Sequence, residues 1–275
     1  RFSDRAVSDK LTAAELQCIS CDLLDRFSVD RLPQVPNIVY MAGRKFGTDG
    51  GEAMTWASNT VIPANVVHHF SDSRIVAFST GNIYPLVAVT SEGALETTPP
   101  APIGEYAQSC LGRERVFMWG SLENETPMLL FRLNYAVDLR YGVLFDIGTK
   151  VFNDQAVELD TGYFNCIWQG DANTQALLSL AHCASPPTIL NVTGPETVSV
   201  RLVAETFAGI FGKPAELVGT ENPMAFLSNS KAATDLFGYP TVSLQRLIEW
   251  TAHWIKIGGA SLGKPTHFEV RNGNY

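Results

Sequence analysis

The sequence is poor in charge and in cysteine, and both shortages exclude classes of protein. Charged residues make up 17% of the 275 residues, and the net charge is −8. Without a long run of Lys and Arg, binding to a nucleic acid is not expected. No apolar stretch approaches the ~20 residues of a membrane span. The five cysteines are odd in number and loosely spaced, which favours reduced thiols in a cytoplasmic protein over a disulfide framework.

Potential metal ligands are also scarce. Cys18 and Cys21 form a Cys-x-x-Cys pair within QCISC, a run that is typical of a β-strand. Residues three apart on a strand point to opposite faces, and zinc would require two further ligands. His68 and His69 have no ligand partner in view. The sequence therefore indicates no metal site.

Hydrophobic residues reach 45% of the chain, which is sufficient for a globular core. Short apolar runs alternate with helical patterns, and the runs are apolar on both faces, as in buried parallel strands. Strands separated by helices imply right-handed crossovers, so we expect an α/β fold with a doubly wound parallel sheet. The predicted strands are 17–21, 37–42, 73–79, 127–133 and 188–192.

The helices predicted between the strands would form the crossovers of the sheet. After Asn134 the alternation breaks, which indicates a smaller C-terminal part. Ligands of open α/β sheets bind at the carboxyl ends of the strands, here 41–43, 79–81 and 133–135. The helical patterns cover about 4–16, 50–70 (with Pro63 inside), 104–120, 200–211 and 243–257.

Several segments, in this order and spacing, resemble the extended short-chain dehydrogenase/reductase family, specifically its NAD-dependent epimerase/dehydratase group. The similarity runs from about residue 17 to residue 212. The segments are DLLD, VYMAGRKFG, SNTVIPANVV, IVAFSTGNIYP, EYAQSC, LLFRLNYAV, IWQGDAN and LNVTGPETVSVRLVAE.

The resemblance implies a Rossmann-like fold, an NAD or NADP cofactor, and a sugar substrate linked to a nucleotide. The dinucleotide-binding domain would comprise 1–133 and 167–192, and the substrate-binding part 134–166 and 193–275. Tyr106 and Thr80 would be catalytic. The implied cofactor-binding residues are Arg1, Asp22, Met41, Ala42, Gly43, Asn59, Ser79 and Asn134, and the implied substrate-binding residues are Arg44, Lys45, Asn82 and Tyr135.

The first departure from the family pattern is at the start of the chain. Nothing before Asp22 matches the family's opening strand and its Gly-rich phosphate loop. We therefore expect the protein to extend upstream. We also expect a gap in the sheet beside 37–42, about twice the 4.8 Å spacing of adjacent strands. Arg1 would then lie near the adenosine ribose, where a basic residue favours NADP.

The second departure concerns the catalytic helix. Cys110 stands four residues after Tyr106, where the family has a Lys. A nearby cation lowers a tyrosine pKa by about 1–3 units, and a neutral thiol does not. Arg113 and Lys45 are alternative cations. Arg113 is more often a solvated helix charge, and the Arg44–Lys45 pair fits phosphate binding and a solvated loop equally well.

Two functions remain open at this stage. The first is an NAD(P)-dependent epimerase, dehydratase or reductase. The second is a cofactor-binding protein of the same fold with little turnover, which the missing Lys favours. The family resemblance also suggests a homodimer built from the Pro63-bearing helix and the helix at 104–120.

Overall fold

A parallel four-stranded sheet lies at the centre of the structure, a computed structural model that describes residues 5–45, 50–264 and 266–273. The strands are β1 Asn37–Tyr40, β2 Arg74–Thr80, β3 Val87–Ala88, β4 Met128–Leu133, β5 Ala136–Val137, β6 Val157–Glu158, β7 Tyr163–Phe164, β8 Ile167–Trp168, β9 Thr188–Val192, β10 Val198–Ser199, β11 Leu217–Val218 and β12 Met224–Ala225. The α-helices are α1 Arg5–Ala13, α2 Arg26–Val29, α3 Glu52–Trp56, α4 Ile62–His69, α5 Gly104–Asn124, α6 Val143–Phe152, α7 Gln169–Leu178, α8 Val200–Phe211, α9 Lys231–Phe237 and α10 Leu244–Lys256.

The sheet has the order β1-β2-β4-β9, and all of its neighbouring strands are parallel. Thr80, Leu133 and Val192 are in register, so the carboxyl ends of three strands meet at one edge. The predicted strands at 37–42, 73–79, 127–133 and 188–192 are confirmed. The predicted α/β class with a parallel sheet and flanking helices is confirmed too.

The predicted strand at 17–21 is wrong. This segment has no regular secondary structure, Ile19 is 42% exposed, and neither Cys18 nor Cys21 forms a disulfide with a described residue. A strand needs a neighbour for its backbone hydrogen bonds, and no described strand lies beside 17–21. Within the described residues, β1 is an edge strand of the sheet. The gap expected beside 37–42 therefore has no described strand on its other side.

Helices cover both faces of the sheet because alternate strand residues point to opposite sides. On one face, Ile75 and Leu130 pack with Phe117 of α5 and Val67 of α4. On the other face, Val76, Leu129 and Phe131 pack with α7 and α9. A separate apolar cluster joins α6, α8 and α10 beyond the sheet. None of the described helices is long and apolar enough to cross a membrane.

The predicted helix at 50–70 is a continuous helical run with a π-helical segment, Ala57–Val61, between α3 and α4. Pro63 lies in the first turn of α4, where its missing N–H is tolerated. Such π-turns are frequent at functional sites. Here the π-segment carries Asn59, which is fully buried against α5.

Candidate active site

A cavity of about 250 Å³ opens at the carboxyl edge of the sheet. Seven of the residues predicted for the site lie in its wall, although they are spread from the loop after β1 to the segment after β4. They are Lys45, Ser79, Thr80, Asn82, Tyr106, Asn134 and Tyr135. The cavity therefore brings together both predicted catalytic residues and all predicted substrate-binding residues except Arg44.

Tyr106 and Thr80 face each other in this cavity. Tyr106 lies in the first turn of α5 and is 9% exposed, and its side chain interacts with Thr80 at the end of β2. It also interacts with the thiol of Cys110, one helical turn further on. Burial raises the pKa of Tyr106 well above its ordinary value, and the Cys110 thiol raises it further. Tyr106 therefore needs positive charge nearby in order to ionise.

Ser79 connects the cavity wall to a buried polar network. Its hydroxyl donates a 2.5 Å hydrogen bond to Glu114 of α5, which also accepts two hydrogen bonds from Arg132 of β4. Arg132 in turn donates to the Tyr84 hydroxyl, and Tyr84 donates to Asn191. All these groups are buried and satisfied, so the network holds Ser79 rigidly at the strand end.

Asn134 is held at the end of β4 by two acceptors. Its amide nitrogen donates to Asn165 Oδ1 at 2.7 Å and to the Phe226 carbonyl at 3.4 Å. Gly81 passes so close that a Cβ there would lie 2.9 Å from the Ser228 hydroxyl and 3.2 Å from the Asn134 Cβ. Tyr135, the next residue, has a positive φ of 40°, a conformation that is uncommon for residues other than glycine.

Of the basic pair after β1, Lys45 reaches the cavity and Arg44 does not line it. The Lys45 ammonium donates to the Tyr141 hydroxyl at 3.3 Å and lies 5.8 Å from the centre of its ring. Although much of the residue is exposed, burial of the ammonium end lowers the pKa of Lys45. The Arg44 backbone is fixed by Asn59, which accepts from its N–H and donates to its carbonyl.

The interpretation of Arg113 as a solvated helix charge is wrong, because this side chain is only 8% exposed. Its guanidinium donates to the Phe78 carbonyl at 3.0 Å and to Asn59 Oδ1. The reason is its place on α5: position 113 is two turns after Tyr106, on the face that packs against β2 and the π-segment. The sequence alone did not fix which face of α5 is buried.

Sequence reasoning missed the part of the cavity wall that comes from beyond β4. It consists of Ala136, Tyr141, Gly142, Val143, Thr266, His267 and Phe268. Thr266 is held by Asp146 of α6, which accepts from its hydroxyl at 2.5 Å and from its N–H at 3.1 Å. Burial raises the pKa of Asp146. No local pattern in the Gly- and Pro-punctuated tail indicated this return to the site.

Other predicted cofactor residues lie outside the cavity wall. Asp22 is exposed, and its carboxylate accepts from the Leu24 N–H. Met41 is 63% exposed, Ala42 packs partly against the core, and Gly43 lies against the Arg113 guanidinium. Arg1 lies outside the described residues. The three residues after β1 nevertheless stand at the strand edge at which ligands bind in open α/β sheets.

No family model matches the sequence, and no curated protein matches it either. Solved structures do match. UDP-glucuronic acid 4-epimerase from Bacillus cereus, in complex with NAD, has a TM-score of 0.75 at 17% identity over 91% of this chain and 85% of that chain. A dTDP-glucose 4,6-dehydratase from Streptomyces venezuelae with NAD bound has a TM-score of 0.76 at 18% identity over 92% and 84%.

A third structure, RMD from Pseudomonas aeruginosa complexed with NADPH, has a TM-score of 0.74 at 18% identity over 91% of this chain and 96% of that chain. At these identities the similarity shows the fold alone. The chain has the Rossmann-like α/β fold. The predicted resemblance to the short-chain dehydrogenase/reductase family is confirmed at the level of this fold.

Proposed function

We propose that this protein is an NAD(P)-dependent epimerase, dehydratase or reductase that acts on a nucleotide-linked sugar. The observation that carries the proposal is the placement of Tyr106 and Thr80 together in the wall of a cavity at the carboxyl edge of the sheet. A general acid/base must lie within hydrogen-bond reach of the reacting oxygen. A substrate hydroxyl placed between these two side chains would meet that condition.

The described residues fit the nicotinamide end of the cofactor. Gly43, Ser79 and Asn134 stand at the ends of β1, β2 and β4, and Ser79 and Asn134 are buried and fixed by hydrogen bonds. Gly43 has no Cβ, and the space that a Cβ would take is filled by the Arg113 guanidinium. The sequence has no Gly-x-x-Gly-x-x-Gly loop, so we assign no residue to the cofactor's phosphates. NAD and NADP both remain within the proposal.

A bound nicotinamide would supply hydride acceptance and donation at the substrate carbon. The chain itself would move the proton. In the oxidising direction, Tyr106 as phenolate takes the proton of the substrate hydroxyl while Thr80 donates a hydrogen bond to the same oxygen. In the reducing direction, the Tyr106 hydroxyl returns the proton to the oxygen of the carbonyl group.

The cavity wall suits a polar substrate with a sugar ring. Lys45, Asn82, Tyr141 and His267 present charged or hydrogen-bonding groups around Tyr106. The solved structures with the same fold include enzymes named for UDP-glucuronic acid and dTDP-glucose, which supports a nucleotide sugar as the substrate class. Lys45 is placed to bind an anionic group of such a substrate, because its ammonium lies in the wall of the cavity.

The second candidate is a cofactor-binding protein with little turnover. One observation favours it: Tyr106 contacts a thiol rather than an ammonium, and both its burial and that thiol raise its pKa. In either case, we propose that 1–133 and 167–192 form the dinucleotide-binding domain and that 134–166 and 193–275 form the substrate-binding part. None of the five cysteines forms a disulfide with a described residue, which supports a cytoplasmic location.

The test is direct. The purified protein is titrated with NAD and with NADP, and the complex is then incubated with UDP-glucose, UDP-glucuronic acid and dTDP-glucose. Products are separated by chromatography, because an epimerase or a dehydratase leaves the cofactor unchanged after each cycle. Turnover of one of these sugars supports the enzyme. Cofactor binding without turnover favours the second candidate, and absence of cofactor binding contradicts both.

A further inference from the structure

Arg113 is a buried cation that forms no ion pair with any described carboxylate. Its guanidinium is held by two neutral acceptors, the Phe78 carbonyl and Asn59 Oδ1, and its Nε has no partner among the described residues. Arg132, buried nearby, is neutralised by Glu114 at 2.8 Å. A buried charge without a counter-ion is costly, so the unneutralised guanidinium calls for a functional explanation.

The Arg113 guanidinium lies next to the elements that carry the proposed catalytic pair, Tyr106 and Thr80. Its Asn59 partner also donates to the Ser109 hydroxyl at 2.8 Å and lies 4.0 Å from the Cys110 sulfur. Its other partner, the Phe78 carbonyl, comes two residues before Thr80 on β2. Helical side chains point towards the N-terminus of their helix, so Arg113 extends back towards Cys110 and Tyr106.

The same guanidinium reaches the end of β1. A Cβ added at Gly43 would overlap the Arg113 Nη2, so the backbone of Gly43 lies directly on the guanidinium. Arg113 thus stands between the strand end proposed to contact the cofactor and the tyrosine proposed to move the proton. Its positive charge lowers the pKa of both Tyr106 and Cys110, against the raising effect of burial.

We propose that Arg113 is a positioning residue that supplies the positive charge absent from position 110 and stabilises Tyr106 as the phenolate. The inference rests on the proposed function. The proton of the substrate hydroxyl moves to the Tyr106 oxygen and back, while Arg113 keeps its own protons throughout. A guanidinium stays charged at every pH of interest, so it would stabilise the phenolate without giving up a proton.

Lys45 is the competing cation, because its ammonium shares the cavity with Tyr106. Two observations favour Arg113. Burial lowers the pKa of Lys45, so its charge is the less secure of the two, whereas a guanidinium stays protonated. Lys45 is also engaged with the Tyr141 hydroxyl. Asp146 of α6 acts in the other direction, because it raises the pKa of Lys45.

Several other titratable or charged groups surround the cavity and Tyr106. They are Cys110 and the Glu114–Arg132 pair on the sheet side, Lys45 after β1, Tyr141 and Asp146 around the start of α6, and His267 in the tail. Of these groups, Cys110 raises the pKa of Tyr106. The experiment must therefore compare substitution of Arg113 with substitution of Lys45 in the same assay.

The test measures the ionisation of Tyr106 without cofactor or substrate. The protein is labelled with 3-fluorotyrosine, whose phenol is more acidic than that of tyrosine, and the fluorine resonance of Tyr106 is identified by its loss in Tyr106→Phe. We expect Arg113→Met to raise the pH of half-ionisation by about 1–3 units and Arg113→Lys to restore most of the shift. Arg115→Met, an exposed arginine on the same helix, is the matched control and should leave it unchanged.

A second variant avoids the loss of the buried side chain. Asn59→Asp places a carboxylate against Arg113 and neutralises it in place, so it should also raise the pH of half-ionisation. The inference is overturned if both variants leave the Tyr106 titration unchanged, or if Lys45→Met alone produces the shift. The pH profile of turnover should move to higher pH in parallel.

The two proposals fail in different ways. If turnover depends on Tyr106 but the titration of Tyr106 does not change when Arg113 is replaced, the inference about Arg113 is wrong and the proposed function stands. If ionisation responds to Arg113 but Tyr106→Phe turns over like the wild type, the acid/base role that the proposed function gives to Tyr106 is wrong. The positioning role of Arg113 in the reaction is then wrong too.

Discussion

The Ser79 hydroxyl donates to the Glu114 carboxylate, and this single hydrogen bond ties the wall of the cavity to the buried ion pair of Glu114 and Arg132. Both charged side chains are at most 4% exposed. The pair lies between β4 and α5, which are the elements that carry Asn134 and Tyr106. The stability of the fold and the geometry of the candidate site therefore depend on the same contacts.

Removing one member of this pair should be costly. Glu114→Gln leaves the Arg132 charge buried and uncompensated, so we expect a loss of about 3–5 kcal/mol in the free energy of unfolding, measured by urea denaturation. Glu123→Gln, an exposed glutamate on the same helix, is the control and should change it by at most about 0.5 kcal/mol. A loss of less than about 1 kcal/mol for Glu114→Gln would show that the pair is not tightly buried.

Gly43 should not tolerate a side chain. Because a Cβ there would overlap the Arg113 guanidinium, we expect Gly43→Ala to lower the free energy of unfolding by about 1–3 kcal/mol. In the Arg113→Met background the loss should shrink, because the overlapping atom is gone. Gly209→Ala, in α8 with open space around it, should instead stabilise by about 0.5–1 kcal/mol. Equal losses in both backgrounds would contradict the placement of Arg113.

Asp146 should make the protein less stable as pH rises. Burial raises its pKa in the folded state above the ordinary value of 3.8, so the folded protein binds more protons than the unfolded chain. The contribution of Asp146 to the free energy of unfolding is therefore fully present below pH 3.8 and is lost as pH rises through the folded-state pKa. The stability of Asp146→Asn relative to the wild type should accordingly increase across this window in urea denaturation.

The contribution of Asp138 to stability should have the opposite pH dependence, so Asp138 serves as the control. Hydrogen bonds from Arg140 lower its pKa below 3.8, so its contribution is present above that value and is lost as pH falls through the folded-state pKa. Asp138→Asn should therefore lose stability relative to the wild type as pH rises through this lower window. A difference between Asp146→Asn and the wild type that is flat with pH would contradict the burial of the Asp146 carboxylate.

The homodimer expected from the family resemblance would use the helical run from α3 to α4, with its π-segment, and α5. Val61 is 44% exposed, Trp119 57% and Leu122 58%, which is high for apolar side chains on helices. If this surface joins two copies of the chain, Trp119→Asp should convert a dimer to a monomer in light-scattering measurements. Leu178→Asp, at a half-exposed leucine ending α7, should leave the dimer intact. A wild-type monomer would rule the surface out as a dimer contact.

The sheet was predictable because its strands are continuous apolar runs separated by helical patterns. The segment 17–21, QCISC, is also flanked by helical patterns but contains only one branched aliphatic residue, and it forms no strand. Composition shows that a segment can be buried between two layers, whereas a strand also requires a neighbour with free backbone groups. Pairing of this kind depends on distant parts of the chain, so the local sequence did not reveal its absence.

The candidate site was predictable where it lies on the strand ends and on α5. Thr80, Tyr106 and Asn134 meet because parallel strands end at one edge and α5 starts beside it. The burial of Arg113 was not predictable, because it depends on which face of α5 packs against the π-segment. Thr266 and His267 were missed for a similar reason: a tail without regular structure returns to the cavity through contacts with Asp146.

The most direct measurement of the central claim is the rate of sugar turnover by the wild type and by Tyr106→Phe. Both are assayed with NAD or NADP on whichever nucleotide sugar the wild type accepts. The account predicts a loss of about 10²–10⁴-fold, because the hydroxyl that moves the proton is removed, with unchanged cofactor binding. Tyr239→Phe, at a tyrosine that is 75% exposed, should keep the wild-type rate. A Tyr106→Phe protein as active as the wild type would contradict the account.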